Sequence, residues 1–163
     1  QWKRIGIDLD VKELERNLAF TRDSSNENQM ITWANDGSEM IYLFPRHALP
    51  VDGAEAHMGM AYAKWYASRG ASGKKPDDPE MLRAFDLFRD AFGASEEKRV
   101  NNAKEIWKIA IEQMWSIGTV GQSPAVMGVR IVKNNMGNVP ERQVNAQHAR
   151  TPHSSMPITF YFK

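Results

Sequence analysis

Trp33 and Asp36, three positions apart in Trp33-Ala34-Asn35-Asp36-Gly37-Ser38, are the side chains of this 163-residue chain best suited to gripping a small molecule. An indole offers a flat apolar face and a carboxylate a charge-assisted hydrogen-bond acceptor. The pair follows the strand-like run Gln29-Met30-Ile31-Thr32 and precedes a glycine turn. Loops after strands are where an α/β scaffold places its ligand contacts. Asp36 before Gly37 is also a common turn pairing in its own right. What these groups offer is binding.

The other reactive side chains do not assemble a catalyst. Histidines 47, 57, 148 and 153 lack metal-ligand spacing and read as surface residues. Asp8 and Asp10 alternate with apolar residues, so they read as the solvated side of a strand. Asp77-Asp78 is accounted for by helix capping, and Ser24-Ser25 and Ser154-Ser155 lack a nucleophile-elbow context. Gly70-Ala-Ser-Gly73-Lys74-Lys75 departs from the phosphate-loop pattern and does not open a helix directly. A hydrolase built on Asp36 and one of the histidines fails because no nucleophile, base and orienting group can be assigned together. With no cysteine, disulfides, thiolate nucleophiles and sulfur-ligated zinc are excluded. The reading is therefore a non-enzyme with no metal and no cofactor.

The elements that position Trp33 and Asp36 follow from periodicity. Ile5, Ile7, Leu9 and Val11 alternate with Gly6, Asp8 and Asp10, the period of a strand with one buried face. From Lys12 to about Arg22, Leu14 and Leu18 share a stripe and predict a short helix. A polar turn over residues 23–28 leads to the second strand, Gln29–Trp33, so the order is β-α-β within roughly thirty residues. Residues 42–76 are broken by Pro45, Pro50, Gly53, Gly59, Gly70 and Gly73 and read mostly as loop, with a turn or two of helix over Met60–Tyr66. Trp65-Tyr66 reads as a packing anchor under that loop or, more sharply, as a ligand-stacking platform.

Two helices come next. Asp78 is an N-cap with Pro79 in the first turn; Met81, Phe85, Phe88 and Phe92 make a buried stripe, and Gly93 ends the helix. Ser95 caps the following helix, with Glu96 and Glu97 set favourably against its dipole and Val100, Ala103, Trp107, Ala110 and Met114 as the inner stripe. Residues 117–121 and 125–132 predict two short strands, and residues 134–138 a turn. Residues 139–153 read as a polar surface tail, and the apolar end Ile158–Phe162 as an extended segment that packs against a partner.

Composition bounds the partners. The chain is 42% apolar and 25% charged with net charge +1, its cations interleaved with acids, which argues against phosphate-driven nucleic-acid binding. No apolar run reaches membrane-spanning length. The length suits one ordinary domain. The chain opens Gln1-Trp2-Lys3 and enters a strand pattern at once, without a charged-then-apolar leader, and so reads as a piece of something larger.

Several segments, in order, resemble the C-terminal part of the family 5 extracellular solute-binding proteins, the peptide-binding type that serves ABC importers. They are Ile5-Gly-Ile7 with its strand, Trp33-Ala-Asn-Asp36, residues 64–73 (Lys-Trp-Tyr-Ala-Ser-Arg-Gly-Ala-Ser-Gly), Lys104-Glu-Ile-Trp-Lys108, Ser116-Ile-Gly-Thr-Val-Gly121 and residues 133–140 (Lys-Asn-Asn-Met-Gly-Asn-Val-Pro). The resemblance spans nearly the whole chain. It implies an α/β fragment of the two-lobed type II periplasmic-binding-protein fold, a mixed sheet flanked by helices. Residues 1–138 would be the later half of the second lobe, and residues 139–163 a tail returning towards the first. It implies an oligopeptide or oligosaccharide held between lobes by Trp33, Asn35 and Asp36, with Trp65 as a further stacking surface. In peptide-binding members the Asp at this turn pairs with the ligand's α-ammonium group; in sugar-binding members the same turn offers stacking and hydrogen bonds to hydroxyls. The implied partners are ABC permease subunits, at the periplasmic or extracellular face of a bacterial inner membrane, with membrane association only through an anchor outside this segment.

Overall fold

A computed structural model of the chain describes residues 2–33, 40–118, 133–140 and 156–163. The described residues are helix-rich, with four α-helices and one small antiparallel sheet. Helix α1 runs Arg16–Ser24, α2 Met60–Ala67, α3 Pro79–Arg89 and α4 Glu96–Glu112. Strands β1 (Met136–Gly137) and β2 (Tyr161–Phe162) pair with Met136 opposite Phe162 and Gly137 opposite Tyr161. This is the α/β class at its most general, and no larger mixed sheet is present among the described residues. No described helix is long and apolar enough to cross a membrane.

The core forms where α3 and α4 meet the loop of residues 41–51. Asp78 accepts from the Glu80 amide at 2.9 Å and Ser95 from the Lys98 amide at 3.3 Å, so both helices begin where their capping residues direct. Met81, Ala84, Phe85 and Phe88 of α3 and Ile106 and Ile109 of α4 are buried together with Ile41, Leu49 and Val51. Asn102, also buried, donates from Nδ2 to the Leu87 carbonyl at 2.9 Å and ties the two helices at a polar point inside their contact. Tyr66 and Trp65 of α2 lay their rings against Phe85, at centroid distances of 4.8 and 6.3 Å. Burying a side chain the size of Phe contributes about 1.5–3 kcal/mol, so each ring of this aromatic layer adds to the stability of the region.

The structure departs from the sequence expectations in several places. Ile5–Val11 is not a strand: Trp2–Ile5 is a single 3-10 turn, and Ile5, Ile7, Leu9 and Val11 are exposed. The alternation is real, but a strand needs a neighbouring strand to bond and a face to cover, and none lies beside it among the described residues. Gln29–Trp33 is likewise irregular, so no β-α-β unit forms over the described residues. The predicted helix does form, starting later than Lys12, because the Glu15 side chain caps it by accepting from the amides of Asn17 and Leu18. Its predicted Leu14/Leu18 stripe is not the inward face, since Leu18 is 45% exposed.

The α4 stripe is inward in its middle, where Ala110 is buried and Ala103 and Trp107 pack against the core, and not at its ends. Asn102, Ile106, Ile109 and Ala110 face inward, whereas Val100 and Met114 are exposed, because the contact with α3 selects the face. Phe92 is also exposed: α3 ends at Arg89, and Phe92 lies beyond its C-cap, edge-on to Phe88 at 5.5 Å. Within the predicted 134–138 turn, Met136 and Gly137 instead pair with the chain's apolar end, only part of which is extended, since Pro157–Thr159 is a 3-10 turn. The predicted strands at 117–121 and 125–132 and the polar tail fall largely outside the described residues.

Candidate ligand-binding site

Trp33 ends the first described segment and is 36% exposed. Its indole is braced from behind by two rings, Phe20 at 4.9 Å and His57 at 5.7 Å between centroids. The Arg16 guanidinium lies over both Phe20 and Trp33, at 5.3 and 5.6 Å. Arg16, Phe20 and Asp23 fall four and three positions apart, one face of α1. That face, rather than the leucine stripe, meets the body of the protein. The result is an indole packed against Phe20, His57 and Arg16 that still keeps 36% of its residue surface in solvent, a partly exposed aromatic of the kind that can stack on a planar or apolar ligand surface. Asn35 and Asp36 lie outside the described residues, so the structure locates Trp33 of the trio and not its neighbours.

Beneath Trp33 lies a polar cluster. Asp23 Oδ2 is 3.0 Å from His57 Nδ1, and both side chains are about nine-tenths buried. An ionised carboxylate only accepts, so Nδ1 carries the hydrogen that is donated to Asp23. In the neutral ring, this leaves Nε2 as a bare lone pair. It is buried and has no hydrogen-bond partner among the described residues. A buried polar atom left unpaired costs on the order of 1–3 kcal/mol. The His47 ring lies next to it, 5.6 Å between centroids, and His47 Nε2 accepts from Arg46 Nε at 3.2 Å. Arg46 is itself buried, stacks over Phe44 at 4.8 Å and pairs with Glu55 at 3.1 Å. A second tie holds α1 down: Lys64 Nζ of α2 donates to the Ser24 carbonyl at 2.7 Å.

Histidines 47 and 57 are therefore not surface residues, contrary to the sequence expectation. His57 and Asp23 are 34 positions apart, and nothing local in the sequence announces their meeting. The one available signal was the shared helical face of Phe20 and Asp23. Asp8 and Asp10 are solvated as expected, each beside a lysine at 3.9 and 3.3 Å. Trp65 is half-buried on the Phe85 ring, the position of a packing anchor. In the lysine-flanked glycine loop, Gly73, at φ +79°, presses against the backbone of α2, and the Lys74 amide donates to the Ala61 carbonyl at 2.9 Å.

Chemically, the cluster pairs a buried carboxylate with an imidazole, and no described hydroxyl hydrogen-bonds to that imidazole. The described residues also contain no group of three His, Asp or Glu side chains able to hold a metal ion. A separate open groove of roughly 620 Å³ runs along α4 between Ile41, Trp107 and Ile111, flanked by Lys104 and Lys108. Trp33 does not line it. No protein-family model matches the chain, and neither does any curated protein sequence.

Proposed function

We propose that this chain is a ligand-binding lobe of an ABC-importer solute-binding protein, of the two-lobed type II fold, which captures an oligopeptide or oligosaccharide without catalysis. The observation that carries the reading is the Trp33 indole, held by Phe20, His57 and Arg16 yet still 36% exposed. It stands two and three positions before Asn35 and Asp36, whose amide and carboxylate supply the polar contacts. Trp33 forms an apolar wall; Asp36 receives a ligand ammonium or hydroxyl; Asn35 adds a hydrogen bond. The opposite wall belongs to another lobe, and the working location is the periplasmic or extracellular face of a bacterial inner membrane, beside the permease.

A second reading, a protein-interaction domain without a small-molecule ligand, is favoured by one feature. Ile158, Tyr161 and Phe162 are 91, 58 and 73% exposed at the chain's apolar end. Large exposed apolar groups in a row mark contact surfaces.

Calorimetric titration of oligopeptides and oligosaccharides into the full-length protein separates the two. Under the first reading one class binds, and Asp36→Ala weakens an amine-bearing ligand by about 2–5 kcal/mol with thermal stability nearly unchanged. Binding of neither class, together with a stable protein complex that is lost on trimming the last six residues, would establish the second.

A further inference from the structure

We infer that His57 is a ligand contact of the Trp33 platform, its Nε2 accepting a hydrogen bond from a hydroxyl or N–H of the bound molecule. The inference rests on the ligand-binding reading above and names a residue and a chemistry that this reading lacks.

Three observations converge on that nitrogen. First, its direction is fixed. Nδ1 is held by Asp23 at 3.0 Å, and Asp23 sits in the last turn of α1, so the ring cannot turn over without breaking a buried carboxylate contact. Second, its neighbours are rings: Phe20 at 6.2 Å, Trp33 at 5.7 Å and His47 at 5.6 Å, centroid to centroid. His47 offers no donor from its own Nε2, which accepts from Arg46. Third, the His57 side chain is 8% exposed, and Nε2 has no partner among the described residues.

A pre-aimed acceptor set among aromatic walls is complementary to a molecule that combines one donor with a flat or apolar face. Water-facing groups that can bond elsewhere gain little from such a site, whereas a ligand donor reaching it satisfies an atom that is otherwise unpaired. Of the three rings around it, Trp33 is the most exposed and so the one a ligand meets first.

The shared chemistry of the donor has two sources, a sugar hydroxyl and a peptide N–H, so the probes are cellopentaose and penta-alanine, each titrated into full-length protein. His57→Asn retains an amide donor to Asp23 at the Nδ1 position and deletes Nε2; His57→Gln retains a polar atom near Nε2 and loses the Asp23 contact. With the probe that binds, His57→Asn is expected to lower affinity at least ten-fold at an unchanged melting temperature. His57→Gln is expected to lower the melting temperature and keep more of the affinity. The imidazole ¹⁵N resonance of Nε2 in the unmodified protein is expected to shift on adding that probe. Wild-type affinity in His57→Asn, or an unmoved Nε2 resonance, while Trp33→Ala still weakens binding, overturns the role of His57 and leaves the platform standing. Binding of neither probe to the unmodified protein overturns both.

Discussion

The α3–α4 unit and the first thirty-three residues carry similar numbers of apolar side chains to very different ends. In the helical unit, Phe85, Ile106 and Ile109 are almost wholly buried, and even its polar Asn102 is inside and bonded. In the opening segment, Ile5, Ile7, Leu9 and Val11 stand in solvent, and what fastens the segment is a handful of specific contacts. These are the Asp23–His57 pair, the Lys64 bond to Ser24 and the aromatic brace around Trp33. The contrast shows how much periodicity depends on company. A helix bonds its own backbone and needs only one neighbour to cover its stripe, and α3 and α4 cover each other. An alternating strand bonds nothing by itself, and with no sheet beside it among the described residues the same apolar content stays outside.

Mutation should separate the two regions by size of effect. Phe88→Ala opens a cavity among Tyr42, Tyr66 and Phe85 and should destabilise the protein by about 3–5 kcal/mol in denaturant unfolding. A loss under about 1 kcal/mol would mean that this unit is not the stable one. Asp78→Ala removes the cap of α3 and should cost about 1 kcal/mol by the same measurement.

Alkaline pH probes the helical unit through two tyrosines packed against it, Tyr42 and Tyr66. Burial pushes the Tyr66 and Tyr42 hydroxyls above the ordinary tyrosine value of 10.0, with Arg89 and Arg99 opposing the rise. A raised folded-state value means that the native protein holds these protons more tightly than the unfolded chain does. The stability they supply is therefore present below pH 10 and is lost as pH climbs through the folded value. Melting temperatures should fall above pH 10, and less so in Tyr66→Phe. Smallest of all, Leu9→Ala should change stability by less than about 0.5 kcal/mol. A cost near that of Phe88→Ala would collapse the distinction between the regions.

What was legible in the sequence follows the same division. Asp78 with Pro79, and Ser95 with Glu96 and Glu97, marked both helix starts, because a cap is a bargain between neighbours in the chain. Met81, Phe85 and Phe88 were read as core correctly for the same local reason. The full inner face of α4 was not legible, since Asn102, Ile106 and Ile109 are brought inside by the contact with α3. Trp33 was legible as an aromatic at the edge of a loop, but its support was not. Phe20 looked like part of a leucine helix, Asp23 like a turn residue and His57 like a surface residue; only the fold brings the three together. The polar cluster was illegible because each member, taken singly, is ordinary.

Gly73 has consequences for the history of the chain as well as for its shape. A β-carbon built there would lie 2.5 Å from the Trp65 amide nitrogen, against backbone that cannot yield, and at φ +79° a side chain would be strained even in open space. Every other genetically encoded amino acid is thus barred for two unrelated reasons. Drift can rewrite the exposed serines and lysines around this position while leaving it untouched. A descendant that still folds its loop over the second helix should keep a lone invariant here, a fossil by which distant kin are recognised after the surrounding letters have changed.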